Sequence, residues 1–188
     1  MANVLDWSRN REMWIRVLEK QTGKSLEHWN QRVRNENFQD EKSLRAWLHG
    51  QGVKGYAESL LVMERFGYPD FITSSADELL EGQYADRPHL RPIYDAIINA
   101  MLGIGPITIQ ARKTYVSLLT PRRTFARVQP TTKHRVDLGL RLEGQKPSGR
   151  LQPSTIHETM KLQISLASME EIDAEVLSWL RQAYEENC

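Results

Sequence analysis

Between Lys113 and Lys161 basic residues recur where a strand would turn them to one side, and such a row can grip an anion. From Arg135 to Leu142, Val136, Leu138, Leu140 and Leu142 alternate with Arg135, Asp137, Gly139 and Arg141. That period of two marks a half-buried strand. Guanidinium forks converging on one face suit a carboxylate, a phosphate or a nucleic-acid backbone. Arg127, Lys133, Arg135, Arg141, Arg150 and Lys161 would supply the charge, with Lys113 and Tyr115 bordering the same face. Asp137 is the only strand acid. A register that sets it opposite Arg127 would orient that guanidinium, place Gln129 by Arg135 and lay Phe125 over the bare Gly139. Arginines on an exposed strand face also serve simply as a solvated surface, and the pattern alone leaves both readings open.

Other chemistries find less support. Thr22-Gly-Lys-Ser25 has the ending of a phosphate-binding loop, but Leu18 stands where the first glycine is required, and a helical pattern rather than a strand precedes it. A glycine ending one helix and a serine capping the next account for these residues. The helical segments on either side of Gly50-Gln51-Gly52 have helix-turn-helix spacing. Their second member offers Lys54 and Arg65 offset by Glu58 and Glu64, a poor set for reading a DNA groove. The five histidines, at 28, 49, 89, 134 and 157, fall in no metal-ligand spacing, and the single cysteine is Cys188. No GxSxG elbow occurs. No catalytic residue, metal or cofactor is therefore expected.

The elements that must carry the basic row read as follows. Up to residue 67 the apolar spacing is helical, in four short segments: Arg9–Gln21, one capped by Ser25, one opened by Asp40, and one through Val53, Tyr56, Ala57, Leu60 and Leu61. Gly67-Tyr-Pro-Asp70 is a boundary signal. Residues 68–87 read as a connector with a helical turn near Ala76–Leu80. A helix from Pro88 to Met101 follows, then strands at 114–119, 124–129, 135–142 and 159–166. A final helix is opened by Ser168-x-x-Glu171 as a capping box. The expected class is α+β: a small helical bundle over 1–67, and over 88–188 a four-stranded antiparallel sheet with two helices on its apolar face. The loop 143–157 is long enough to act as a binding loop.

Charge agrees with this placement. From Gly103 to Lys161 eleven Lys and Arg face three acids, whereas the final helix is acidic, although the whole chain carries only +1. One cysteine at the terminus fits a reducing compartment. Without a secretory leader or an apolar run of membrane-spanning length, a soluble, cytoplasmic protein with no membrane partner is expected.

Several stretches resemble a bacterial family of two-domain proteins of unknown function. In the first half they are Thr22-Gly-Lys-Ser-Leu-Glu-x-Trp29 and Gly52-x-x-Gly-Tyr-Ala57. In the second they are Lys113-Thr-Tyr-Val-Ser-Leu118, Phe125-Ala-x-Val-Gln-Pro130, Arg135-Val-Asp-Leu-Gly-Leu140, Gly149-Arg-Leu151, and Ile172-Asp-Ala-Glu with Trp179-Leu-Arg-Gln-Ala-Tyr184. Relatives often pair a histidine with a basic residue before the last strand, whereas His157 is followed by Glu158. The resemblance implies no settled activity. The second domain is similar to one sometimes labelled a predicted transport protein and sometimes found beside nuclease-like domains.

Three functional readings follow. The first is a binding module whose basic face and 143–157 loop engage an anionic ligand, with nucleic acid as the leading candidate. The second is a small-molecule site or enzyme using Lys113, Tyr115, Asp137 and His157 around a pocket under that loop. The third is an interaction module whose exposed sheet packs on another protein or in a homo-oligomer.

Overall fold

The computed structural model describes residues 3–4 and 8–188, with side chains from Arg11 onward. Contacts divide the chain into a helical unit, Asp6–Ser74, and a sheet unit made of Met1–Leu5 and Ser75–Cys188.

The helical unit holds α1 (Ser8–Thr22), α2 (Leu26–Glu36), α3 (Glu41–Gly50), α4 (Tyr56–Phe66) and the single turn α5 (Asp70–Thr73). The starts of α2, α3 and α4 have local causes. Ser25 accepts from the backbone N–H of His28, and Asp40 accepts from that of Ser43. Gly55 precedes α4 at φ +63° and ψ −130°, a conformation open to glycine alone. Trp14, Leu18, Trp29, Val33, Leu44, Leu48, Leu60 and Leu61 form the buried interior. Glu64 joins three helices: it accepts from Arg11 of α1 at 2.6 and 3.0 Å, from Asn30 of α2 at 3.2 Å and from Tyr68. Burial pushes the Glu64 carboxyl up, but Tyr68, Arg11 and Asn30 together hold it below the usual glutamate range. A depressed carboxyl contributes stability above its unfolded pKa and loses it as pH falls through the folded value. Trp fluorescence during acid titration is therefore expected to show this unit weakening below about pH 4, the unfolded glutamate range. Glu64→Gln should flatten that fall and cost roughly 1–3 kcal/mol at neutral pH. An unchanged acid profile would refute the role given to Glu64.

In the sheet unit the strands are β1 (Asn3–Val4), β2 (Thr108–Ala111), β3 (Val116–Leu119), β4 (Thr124–Gln129), β5 (Val136–Leu140), β6 (Gln152–Pro153) and β7 (Leu162–Leu166). They lie in the order β1-β2-β3-β4-β5-β7-β6, with β1 parallel to β2 and every other pair antiparallel. The class is α+β as expected, but the strand count of four is corrected: six strands form the antiparallel part. The added β2 and β6 have four and two residues, too few for alternation to show, and β6 carries Pro153, which is tolerated at an edge. The remaining helices are α6 (Ala76–Tyr84), α7 (Arg91–Leu102) and α8 (Ala174–Glu186). Instead of a single turn, α6 runs nine residues from a capping box between Ser75 and Glu78. The last helix starts later than Ser168 suggests. Its N-cap is Asp173, which accepts from the backbone of Val176, while Ser168 only precedes a 3-10 turn.

Register explains which residues share a face. Val116, Val128, Leu138 and Ile164 form one row across the sheet, and Leu118, Ala126, Leu140 and Leu162 form the next. All eight are buried and pack in one core with Leu90, Ile93, Ile97 and Met101 near and along α7, and with Val176, Leu180, Ala183 and Tyr184 of α8. The opposite face carries the rows Ser117–Arg127–Gly139–Gln163 and Gln129–Asp137–Ser165.

The expected hairpin register is corrected by two residues. Arg127 lies opposite Gly139, and Asp137 opposite Gln129. A slip of two keeps every side chain on its expected face. Two features of the tertiary structure accompany it. The turn after β4 spans more residues, and Arg87 holds it by donating to the carbonyls of Pro130 and Thr132 at 2.7 and 3.2 Å. The β3–β4 register also shifts between Leu118 and Leu119, skipping Phe125. Phe125 consequently turns into the core, edge-on to Tyr184 with ring centroids 5.5 Å apart, and does not cover Gly139.

Candidate functional site

What covers Gly139 is the strap from Ser154 to Met160, the end of the long loop and the approach to β7. A Cβ on Gly139 would lie 2.8 Å from Ile156 Cδ1 and 3.1 Å from Met160 Cβ. The strap is pinned beside that contact by two polar bonds. Gln163 of β7 accepts from the backbone N–H of Thr155 at 2.8 Å, and Arg127 donates through Nη1 to the Ile156 carbonyl at 3.2 Å. The β5 face expected to be open is closed: every residue of β5 is buried.

Arg127 is the distinctive group here. Its guanidinium carbon lies 3.6 Å from the centroid of the Tyr115 ring, a stacked cation–π contact. Among the described residues no carboxylate pairs with it, and the Ile156 carbonyl is its only hydrogen-bond partner. Burial pulls its pKa below the ordinary guanidinium value, and nearby Arg112 adds to that effect against the opposing influence of Tyr115. Neighbours in its row are neutral: Ser117 (7% exposed), Gly139 and Gln163 (6% exposed).

Tyr115 is positioned from behind by Gln83 of α6. The buried Gln83 amide donates to the carbonyls of Arg112 and Tyr115 at 2.7 and 3.1 Å, and the Arg112 N–H closes the turn onto the Tyr115 carbonyl. Gln83 and Ile156 are absent from the sequence reading. A signal for Gln83 existed, because it occupies an apolar-stripe position of α6 beside Leu79, Leu80 and Tyr84. Ile156 had none, since its place depends on how the long loop returns.

Asp137 does not orient Arg127. It is completely buried, accepts from Ser165 Oγ at 2.5 Å, and has Arg135 Nε 3.3 Å from the same oxygen, Oδ1. Its other oxygen is sealed without a partner among the described residues. Arg135 is thereby paired rather than free.

The remaining expected residues disperse. Arg150 binds Asp173 at 2.6 Å, Glu175 at 3.2 Å and the Glu171 carbonyl at 3.0 Å, so it fastens the loop to the start of α8. Arg141 and Lys161 line a cavity of about 250 Å³ together with Glu143 and Glu158, where their charge is offset. His157 receives the Thr159 N–H and the Thr159 hydroxyl at Nδ1, a turn-forming role. It lines a cavity of about 360 Å³ between Ser154 and Lys161, and Asp137 is not among that cavity's walls. Lys113 and Lys133 are exposed in turns. Of the ten residues, the structure joins Tyr115 to Arg127 and, one row away, Arg135 to Asp137, while Lys161 shares one cavity with Arg141 and another with His157.

Among the described residues no group of His, Cys, Asp or Glu is arranged to hold a metal ion, and no helix is long and apolar enough to cross a membrane. Residues 80–187 match the family described as Domain of unknown function (DUF5655). That span is more than half of the chain, and the chain belongs to this family. Neither a curated protein nor a solved structure matches it.

Proposed function

We propose that this member of the family is a binding module for an anionic ligand, anchored by Arg127. One observation carries the reading: a half-buried guanidinium, stacked on Tyr115 and held by a backbone carbonyl, has no carboxylate to balance it among the described residues. Desolvated charges are ordinarily paired, so a ligand anion is the natural complement. The footprint is narrower than a broad basic sheet, because Arg135 and Arg150 are already engaged by acids. Nucleic acid remains one source of such an anion, through a phosphodiester. The Tyr115–Arg127 stack would offer a platform beside it. Asp137 does not line the His157 cavity, so the enzyme reading loses the Asp137–His157 pair on which it rested. The wider resemblance to bacterial two-domain proteins belongs to this proposal, with the helical unit as the companion domain. So does a cytoplasmic location, which rests on the single cysteine.

The test is titration of the full chain at low salt with short single- and double-stranded oligonucleotides and with simple carboxylates and phosphates. Binding should weaken as salt rises. Arg127→Ala should reduce affinity by roughly ten- to a hundredfold, the value of a charge-assisted hydrogen bond. Absence of binding by every anion, or an Arg127→Ala variant that binds like the parent, would sink the reading.

A further inference from the structure

The setting of Arg127 also constrains which anion it takes. Stacking on Tyr115 fixes the plane of the guanidinium, and the Ile156 carbonyl fixes its rotation by occupying Nη1. The opposite edge, Nε with Nη2, makes no hydrogen bond among the described residues, and neither atom is sealed from solvent. That edge presents two parallel N–H groups, the fork that receives two oxygens of one oxyanion. Beside it across the β3–β4 pair stands Ser117, whose hydroxyl has no hydrogen-bond partner among the described residues.

Charge sets the second constraint. Among the described residues the row through Arg127 contains no other ionic group, the adjacent row is balanced internally by Arg135 and Asp137, and Arg112, the other cation acting on Arg127, has a partner of its own. A singly charged oxyanion neutralises one guanidinium, whereas a dianion leaves an uncompensated charge in a partly desolvated place.

We infer that the ligand presents a singly charged oxyanion, a carboxylate or a phosphodiester, to the Nε–Nη2 edge of Arg127, with Ser117 as a further donor, and that phosphomonoester dianions are discriminated against. This inference rests on the anion-binding reading and deepens it. The groups influencing Arg127 are Tyr115 and Arg112. The strap over it brings His157, Glu158 and the neighbouring Lys161, and the next row brings Arg135 and Asp137. The protein's own titration must therefore be separated from that of the ligand.

The experiment follows the Arg127 Nε–H resonance of the full chain while benzoate, dimethyl phosphate and phenyl phosphate are added, each at pH 5.5 and pH 8. Benzoate and dimethyl phosphate keep one charge throughout, so their affinities should agree between the two pH values to within about threefold and also report any drift from the protein. Phenyl phosphate passes from monoanion to dianion near pH 6, and its affinity relative to benzoate should fall by roughly tenfold at pH 8. Whichever of benzoate and dimethyl phosphate binds more tightly names the source. Ser117→Ala should weaken both by roughly three- to tenfold, and Arg127→Lys, which keeps charge but loses the fork, by tenfold or more. A dianion that binds as well as the monoanion overturns the charge rule while the anion site stands. If no anion moves the resonance, both fall.

Discussion

An Arg127→Met variant is expected to lose anion binding while unfolding within about 1 kcal/mol of the parent protein, a combination that separates a binding residue from a structural one. Replacement removes one hydrogen bond, to Ile156 at 3.2 Å, and the stack on Tyr115. Each is worth roughly 0.5–1.5 kcal/mol. Against this, folding no longer draws an unbalanced charge out of water, and burial already weighs against the charged form of Arg127. The thioether also packs well on an aromatic face. Because the guanidinium stays protonated at all working pH, no pH window accompanies the change. Urea unfolding alongside ligand titration measures both quantities. A loss of about 3 kcal/mol or more, as when a buried ion pair is broken, would mark Arg127 as structural instead.

Gly139→Leu is expected to destabilise the sheet unit by about 1–3 kcal/mol and to detach the strap, the usual consequence of overpacking a filled site. The new side chain starts from a Cβ 2.8 Å from Ile156 Cδ1 and 3.1 Å from Met160 Cβ. The end of Ile156 can swing aside, but Met160 Cβ is fixed to its backbone. Loss of the strap would remove the Ile156 carbonyl from Arg127 and free the guanidinium to rotate. Anion affinity should therefore fall together with stability. Hydrogen exchange at Thr155, whose N–H is held by Gln163, is the local readout. Ile156→Ala in the same chain should restore part of the stability, since it vacates the contested space. Unchanged exchange at Thr155 in Gly139→Leu would refute the strap's dependence on that glycine.

How much was legible in advance differs between face and register. Alternation placed Val136, Leu138 and Leu140 inward and Asp137 and Gly139 on the other side, and each lies there. That information is local, because the strand period of two depends only on backbone geometry. The partner of each residue was not local. Charge alone matches Arg127 with Asp137, yet the strands pair two residues away from that register, Arg87, forty residues before Arg127, holds the turn between them, and a shift beyond Leu118 withdraws Phe125. Gly139 was correctly singled out as a place of close approach, but the group approaching it came from the loop rather than from β4.

The candidate site follows the same division. Residue type and spacing by themselves determined an α+β chain with a helical first part, an apolar sheet face packed against helices, and Arg127 on the opposite face, whereas α6 joins that core through Leu80 and Tyr84 out of a stretch that reads as connector. Tertiary structure decided which cations remain unbalanced. Arg150 meets Asp173 and Glu175 across more than twenty residues, and Arg135 meets an Asp137 sealed beneath the fold. Arg127 stacks on Tyr115, and among the described residues no acid pairs with it. Ion pairing and desolvation act over a few ångströms in space, and only folding sets those distances.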